Sequence, residues 1–304
     1  MFRSLCIAVV AGPLVAALAQ PPLPSPDHAD VRYGPHERNV LDIWLARTQE
    51  PAPLVIYYHG GGFRAGDKRT MNPELLTRLL ASGITVAAAN YRLSDVAPYP
   101  AQMHDSARAL QFLRLNAHRY HIDPRRVGAF GGSAGAGISQ WLAYHDDLAD
   151  VANSDPVLRQ STRLSAVAPF NAQSSYDPRF IRKLMQTDQI HPALIALFGM
   201  KSPADADNSR FFPLFEDSSP IHHLTKDDPP ILVYFSQRNE PLPPNSTGEQ
   251  HIHHPKFGFA LKEKADRLGV ECSLILREDS DRFPVDRYVE FFRTKLSAGQ
   301  VRRQ

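Results

Sequence analysis

Ser133 stands among glycines in Gly131-Gly132-Ser133-Ala134-Gly135, directly after the apolar run Val127 to Phe130. A strand that turns sharply into a helix at such a G-x-S-x-G pattern holds its serine in a strained conformation with the hydroxyl exposed. Glycines surround it because side chains there would strike neighbouring chain. Upstream, the apolar run Leu54 to Tyr58 leads straight into His59-Gly60-Gly61-Gly62, a loop type that presents backbone N–H groups to a developing oxyanion. An attacking serine and a glycine loop that stabilises negative charge are two halves of acyl-transfer chemistry. Glycine-rich strand-to-helix turns also cradle phosphates. Here no Lys-Ser or Lys-Thr pair follows Gly135 and no G-x-G-x-x-G opens a first strand–helix unit, which disfavours a phosphate loop.

The elements that must hold these groups alternate along the chain, the signature of a mainly parallel sheet covered by helices on both faces. Val40 to Leu45 reads as an early antiparallel strand, followed by strands at Leu54 to Tyr58, Thr85 to Asn90, Arg126 to Phe130, Ser165 to Pro169, Ile231 to Phe235 and Cys272 to Leu276. Helical apolar spacing covers Asn72 to Ser82, Ala101 to Tyr120, Ser133 to Leu148, Pro255 to Leu268 and Val285 to Leu296. Residues 172–228 break the rhythm, with helical stretches near Phe180 to Met185 and Pro192 to Phe198 and no strand signal. They read as an insertion over the carboxyl ends of the strands, where ligands bind in such sheets.

Charge is balanced, 34 basic against 32 acidic residues without a long run of one sign. Nothing therefore points to nucleic acid or an anionic membrane surface, and the expected partner is a small molecule. Arg3, the apolar stretch Leu5 to Leu18 and Ala17-Leu18-Ala19 form an export-signal pattern, with cleavage expected before Gln20. Gly12-Pro13 interrupts that stretch, so no membrane span is expected in the mature chain. The expected organisation is a signal peptide at 1–19, a proline-rich linker at 20–30, and one domain at 31–299 carrying the insertion. Cys6 would leave with the signal, and Cys272, in the apolar run Val270 to Leu276, reads as an inert core residue. The expected location is periplasmic or extracellular. Oligomeric state is left open.

Several segments together resemble the α/β-hydrolases of the hormone-sensitive-lipase and bacterial feruloyl-esterase-like carboxylesterase group: Tyr57 to Lys68, Asn90-Tyr91-Arg92-Leu93-Ser94, Asp123 to Val127 and Gly131 to Gly135. The resemblance is close from Val31 to Phe170 and returns at Ser219 to Pro244. It implies an α/β-hydrolase fold and carboxylic-ester hydrolysis without a metal or organic cofactor. Ser133 would attack the carbonyl, and the amides of Gly61, Gly62 and Ala134 would hold the oxyanion. His59 would organise the glycine loop, while Asp67 and Arg92 would tie loops in place by charge-assisted hydrogen bonds.

The chain departs from the family pattern at the other two catalytic positions. The family's acid follows the strand Ile231 to Phe235, where this sequence has Asn239 beside Glu240. The family's histidine lies after the last strand, where Arg277 to Phe283 contains none. A serine without a base is an ordinary alcohol. Gln250-His251-Ile252-His253-His254-Pro255 lies between that strand and the next helix, on the side of the sheet that carries the elbow. His254 or His253 is therefore the candidate base, since a helix N-terminus lowers an imidazole's pKa and suits that role. Asp281, or Glu278 or Asp279 in the same loop, or Glu240 beside the histidines, is the candidate acid. The same histidines with His222-His223 would supply zinc ligands, but the spacing is irregular and no H-E-x-x-H or cysteine pair accompanies it, so no metal is assigned. His104-Asp105 and His145-Asp146-Asp147 read as polar groups on helices or at their ends.

Two functions fit the sequence. One is an exported serine esterase acting on a small or medium ester. The other is a non-catalytic protein of the same fold that binds an acyl or carboxylate ligand.

Overall fold

A computed structural model describes residues 22–297; the expected export signal and its cleavage point lie outside them. One eight-stranded sheet runs through the molecule in the order β1-β2-β4-β3-β5-β6-β7-β8. Its strands are β1 (His28–Arg32), β2 (Val40–Trp44), β3 (Ala52–Tyr58), β4 (Thr85–Ala89), β5 (Ile122–Gly132), β6 (Ala166–Phe170), β7 (Ile231–Tyr234) and β8 (Cys272–Ile275). Pairing is antiparallel from β1 through β2 to β4 and parallel across the rest. This is the α/β-hydrolase architecture. The inner strands are apolar almost throughout because both of their faces are covered.

Side-chain alternation sorts the sheet residues into two cores. Val55, Tyr57, Val86 and Phe130 face α1 (Pro73–Ala81) and α10 (Val285–Lys295) through Leu75, Leu79, Tyr288 and Phe292. Leu54, Ile56, Tyr58 and Val127 face the opposite way, into a core shared with α2 (Ala101–Leu115), α3 (Ala134–Tyr144) and α9 (Lys256–Leu268). The 172–228 segment contains α4 (Pro178–Met185), α5 (Pro192–Phe198), α6 (Phe212–Ser218) and the short α7 (Pro220–His223), with no strand among them. Each of these four helices has proline in its first turn, where the missing N–H costs nothing. Their apolar residues Tyr176, Ile181, Leu194 and Phe215 join the second core, so the insertion packs as part of the domain. A further short helix, α8 (Gly248–His251), precedes α9.

Several boundaries differ from those read in the sequence. β1 begins inside the stretch expected to be a linker: His-Ala-Asp-Val-Arg has no apolar run, yet Val31 pairs with Leu41 and Asp30 N–H donates to Asp42 Oδ1 at 2.8 Å. The helix expected to reach Tyr120 stops at Leu115, and β5 starts at Ile122, ahead of Pro124. There the ladder with β3 shifts register between Ala52 and Leu54. α3 stops at Tyr144, where His145 turns extended, short of the expected Leu148.

The glycine loop after β3 is tied to the antiparallel edge by a buried cation. Lys68 is 1% exposed, and its ammonium sits 2.8 Å from both Asp42 and Asp30. Asp42 is almost as buried as the lysine, whereas Asp30 is 57% exposed. Removing one member of a buried pair strands the other charge and costs about 3–5 kcal/mol, while exposed pairs contribute about 0–1 kcal/mol. Lys68→Met is accordingly expected to lower unfolding free energy in urea by about 3–5 kcal/mol, and Asp30→Asn by no more than about 1 kcal/mol. Equal losses would show that the Asp42 pair carries no special weight.

Candidate active site

β5 ends at Gly132 and α3 begins at Ala134, which leaves Ser133 alone at the turn with φ 54° and ψ −118°. Positive φ is disfavoured for a residue with a Cβ, and such strain persists only where surrounding structure enforces it. Ser133 N–H donates to the Phe170 carbonyl at 3.1 Å, and the Ser133 carbonyl accepts from Gly137 N–H at 3.0 Å. The neighbouring glycines are required by approach distance. A Cβ on Gly131 would lie 2.5 Å from the Tyr58 carbonyl oxygen, and one on Gly135 would lie 1.9 Å from the same atom. The end of β3 thus rests against the elbow, and the loop after β3 is delivered beside Ser133.

That loop is His59-Gly60-Gly61-Gly62. Gly61 and Gly62 take φ 111° and 60°, and the Gly61 carbonyl closes a turn by accepting from Arg64 N–H and Ala65 N–H. A Cβ on Gly60 would meet the Gly132 carbonyl oxygen at 2.8 Å and Ser133 Cβ at 3.5 Å. Among the described residues, no protein acceptor takes the N–H of Gly61, Gly62 or Ala134. Gly62 and Ala134 line the same pocket as Ser133; Gly61 is set back from it.

His59 holds the loop and is not available as a base. Its ring stacks on Tyr91 with centroids 4.2 Å apart, and burial pushes its pKa down to about 4. Its Nε2 faces Arg38 Nη2 at 3.1 Å and its Nδ1 lies 2.7 Å from the Gly60 carbonyl oxygen. Because a guanidinium only donates, Nε2 must accept and the proton must reside on Nδ1. Arg38 also donates to the carbonyls of Tyr91 and Gly66. It is a loop anchor that sequence reasoning missed, and nothing in His36-Glu37-Arg38-Asn39 marks it out. Asp67 accepts from Arg69 N–H and from Asn90 Nδ2, and Arg92 grips Asp105 with Nε and Nη2 at 2.8 and 2.7 Å. Asp105, read in sequence as a polar group on a helix or at its end, is the buried partner of that clamp.

The three histidines of the 251–254 segment go to different places. His253 Nε2 lies 3.0 Å from Ser133 Oγ. His254 is committed elsewhere: its Nε2 bonds the Glu240 carbonyl at 2.9 Å and its Nδ1 accepts from Lys256 N–H at 3.1 Å. Both of its nitrogens are used in shaping the turn into α9. His251 lines the pocket. The loop itself is fastened to the insertion, with Gln173 Nε2 donating to the Ile252 carbonyl at 2.5 Å and Thr187 Oγ1 to the Ser246 carbonyl at 2.9 Å. Burial lowers the His253 pKa, the neighbouring His191 lowers it further, and Glu249 opposes them.

The expected acids are not brought to this histidine. Glu240 offers only its backbone carbonyl, and to His254, while its exposed side chain makes no hydrogen bond to an imidazole. Asp281 is exposed in the loop after β8, where its carbonyl accepts from Arg277. In the same loop Glu278 Oε1 accepts from Asn239 N–H at 2.9 Å, and Asp279 caps its own turn through Leu276 N–H. Asp279 thus serves its own turn, and Glu278 ties its loop to the one that follows β7. The acidic group whose charge reaches His253 is Glu249, held 3.0 Å from His191 Nε2.

The zinc set considered from sequence does not assemble. The cluster with metal-ligand proximity among the described residues is instead His145, Asp217 and His223, whose ligand atoms lie within 4.8 Å of one another. Its contacts are internal: His223 Nε2 donates to the Asp217 carbonyl at 2.7 Å, and His145 Nε2 lies 3.5 Å from Asp217 Oδ1. Together they bind the end of α3 to α6 and α7.

Comparison with known proteins gives the family of the chain. The sequence model of the BD-FAE family matches residues 41–251. A probable carboxylic ester hydrolase, LipM of Mycobacterium tuberculosis, is 31% identical over 227 residues, covering 71% of this chain and 48% of that protein. Esterase LipQ of the same organism is 30% identical over 71% of this chain and 49% of its own. The chain thus spans about half the length of these curated relatives. Among solved structures, a truncated carbohydrate esterase from gut microbiota superposes with TM-score 0.68 at 23% identity, over 88% of this chain and 95% of that one. An acetyl ester-xyloside bifunctional hydrolase from Caldicellulosiruptor lactoaceticus gives 0.63 at 20%, over 86% and 89%. The likeness to these structures is one of fold, whereas the family match runs from β2 through the elbow and the insertion to α8; the chain belongs to the BD-FAE family.

Proposed function

We propose that this protein hydrolyses small carboxylic esters, with Ser133 as nucleophile, His253 as general base and the N–H groups of Gly62 and Ala134, supported by Gly61, as oxyanion donors. The observation that carries the reading is the 3.0 Å contact between His253 Nε2 and the hydroxyl of the strained Ser133. In the reaction Nε2 takes the Oγ proton while Oγ bonds the ester carbonyl carbon. The carbonyl oxygen becomes an oxyanion facing the N–H donors. The carbon–oxygen bond to the alcohol then breaks, and His253 returns the proton to the departing alkoxide. Water repeats the sequence on the acyl-serine and frees the acid. The pocket beside Ser133 encloses about 30 Å³, room for on the order of two water molecules, which suits a short group on the substrate.

The ester hydrolase and esterase names of the mycobacterial relatives support the reaction class. Export rests on Arg3, the apolar stretch after it and Ala17-Leu18-Ala19, and is part of the same proposal. A second reading, ligand binding without turnover, is favoured by one observation: among the described residues no carboxylate hydrogen-bonds His253. Turnover without a carboxylate partner is supported by the Oγ contact of His253 and by the fastening of its loop to the insertion.

Intact-mass analysis after treatment with a fluorophosphonate separates the two readings. Stoichiometric labelling of the protein, absent in Ser133→Ala, is expected; an unlabelled, folded wild-type sample would favour the binder. His253→Ala is expected to lower kcat/KM by about 10³-fold or more. Glu240→Ala and Asp281→Ala, both exposed, are expected to stay within about threefold of wild type. A large loss at either acid would restore it to the catalytic group. The base must be neutral to act, and burial together with His191 lowers its pKa. The rate should therefore rise with pH along a limb whose midpoint lies below about 6.5, the ordinary imidazole value. A midpoint above that value would contradict the environment assigned to His253.

A further inference from the structure

Away from the pocket, the far end of α3 meets α6 and α7 in three side chains of the kinds that ligate zinc. Asp217 Oδ1 lies 3.5 Å from His145 Nε2 and 3.9 Å from His223 Nε2. One ligand atom from each of the three residues falls within 4.8 Å of the others. Ligand atoms about 2.0–2.1 Å from a zinc ion stand about 3.3–3.4 Å apart in a tetrahedron, and about 2.9 Å apart along the edges of an octahedron. The separations at Asp217 therefore suit a tetrahedral ion after small side-chain shifts. Two imidazoles with one carboxylate are a donor set for zinc, whereas calcium and magnesium take oxygen ligands.

The groups behind these ligands orient them. His145 Nδ1 faces the Asp146 carbonyl at 3.0 Å. A carbonyl only accepts, so Nδ1 carries a proton, and in the neutral ring Nε2, the nitrogen turned to Asp217, is bare. A bare imidazole nitrogen and a carboxylate oxygen are both acceptors, and a cation between them satisfies both. Asp217 Oδ2 accepts from Tyr99 Oη, which leaves Oδ1 for the ion. His223 Nε2 donates to the Asp217 carbonyl at 2.7 Å, and coordination requires that proton to move to Nδ1. The carbonyl is not stranded by the change, because Trp141 Nε1 also donates to it at 2.8 Å. Partners of this kind fix the direction of metal-binding imidazoles and carboxylates.

We propose that His145 Nε2, Asp217 Oδ1 and His223 Nε2 bind one zinc(II) ion, with water as the fourth ligand, and that the ion ties the end of α3 to the insertion. Ser133 precedes α3 and His145 follows it, and the 11 residues of helix between them span roughly 16 Å. The ion is thus remote from the serine, and the inference is independent of the ester-hydrolase reading.

The test titrates purified, metal-free protein with zinc(II), and separately with cobalt(II), whose visible absorption reports four-coordinate geometry. One ion per chain, tetrahedral cobalt bands and a thermal midpoint that rises with zinc concentration are expected. His145→Ala and His223→Ala should each lose the bands. Tyr99→Phe, which removes the group behind Asp217, should weaken zinc affinity roughly tenfold. His253→Ala, in the other histidine cluster, should bind zinc as the wild type does. Should a ligand variant fail to fold, anomalous scattering from wild-type crystals grown with one equivalent of zinc decides the matter, with the peak expected among the three side chains. Wild-type protein that takes up no ion, an affinity that survives both histidine variants, or an anomalous peak at His251 to His254 instead overturns the proposal, and the cluster is then a contact within the protein only.

Discussion

Everything at this site depends on how closely two pieces of backbone approach each other. The Tyr58 carbonyl at the end of β3 lies where a Cβ on Gly131 or Gly135 would have to be. That contact fixes two things at once. The elbow can turn only with Ser133 at positive φ, and the loop leaving β3 can pass only immediately beside it. Side chains at either glycine would push β3 and the elbow apart and separate Ser133, the proposed nucleophile, from the N–H groups proposed as its oxyanion donors. The anchors further out, Arg38 on the stacked His59 and Tyr91 and Lys68 on Asp42, hold the far side of the same loop in register with the sheet.

A serine among glycines after a buried strand could be read from sequence because the constraint is local and steric. The parallel core was equally legible, since strands covered on both faces must be apolar for their whole length. The proposed base was half legible. Chain order put three histidines on the correct side of the sheet, but their ring directions depend on contacts made far away, such as the Glu240 carbonyl that captures His254 and the Gln173 amide that holds Ile252. Where the candidate acids go was not legible. Carboxylates in exposed loops satisfy nearby N–H groups first, as Glu278 and Asp279 do.

What sequence reading missed in the fold has a common origin. β1 carries little apolar signal because it is an edge strand held by ion pairs and a few ladder bonds. Arg38 sits in an unremarkable polar stretch, and its importance comes entirely from the three groups it meets after folding. The early stop of α2 reflects the need to reach β5, whose start pairs with the beginning of β3. In each case the deciding partner is distant in sequence.

The segment from His251 to His254 carries three separate tasks within four residues: a pocket wall, the contact with Ser133, and the turn into α9. In an arrangement where base and pocket come from different loops, either can drift by mutation while the other stays. Here the pocket wall and the proposed base share one short stretch of backbone, and an insertion or deletion that reshaped the pocket would also displace His253. This loop has little freedom to vary without moving His253. Change in the shape of the pocket is left to the opposite wall, which Pro178 and Ile181 of α4 and Ala193 and Leu194 of α5 provide.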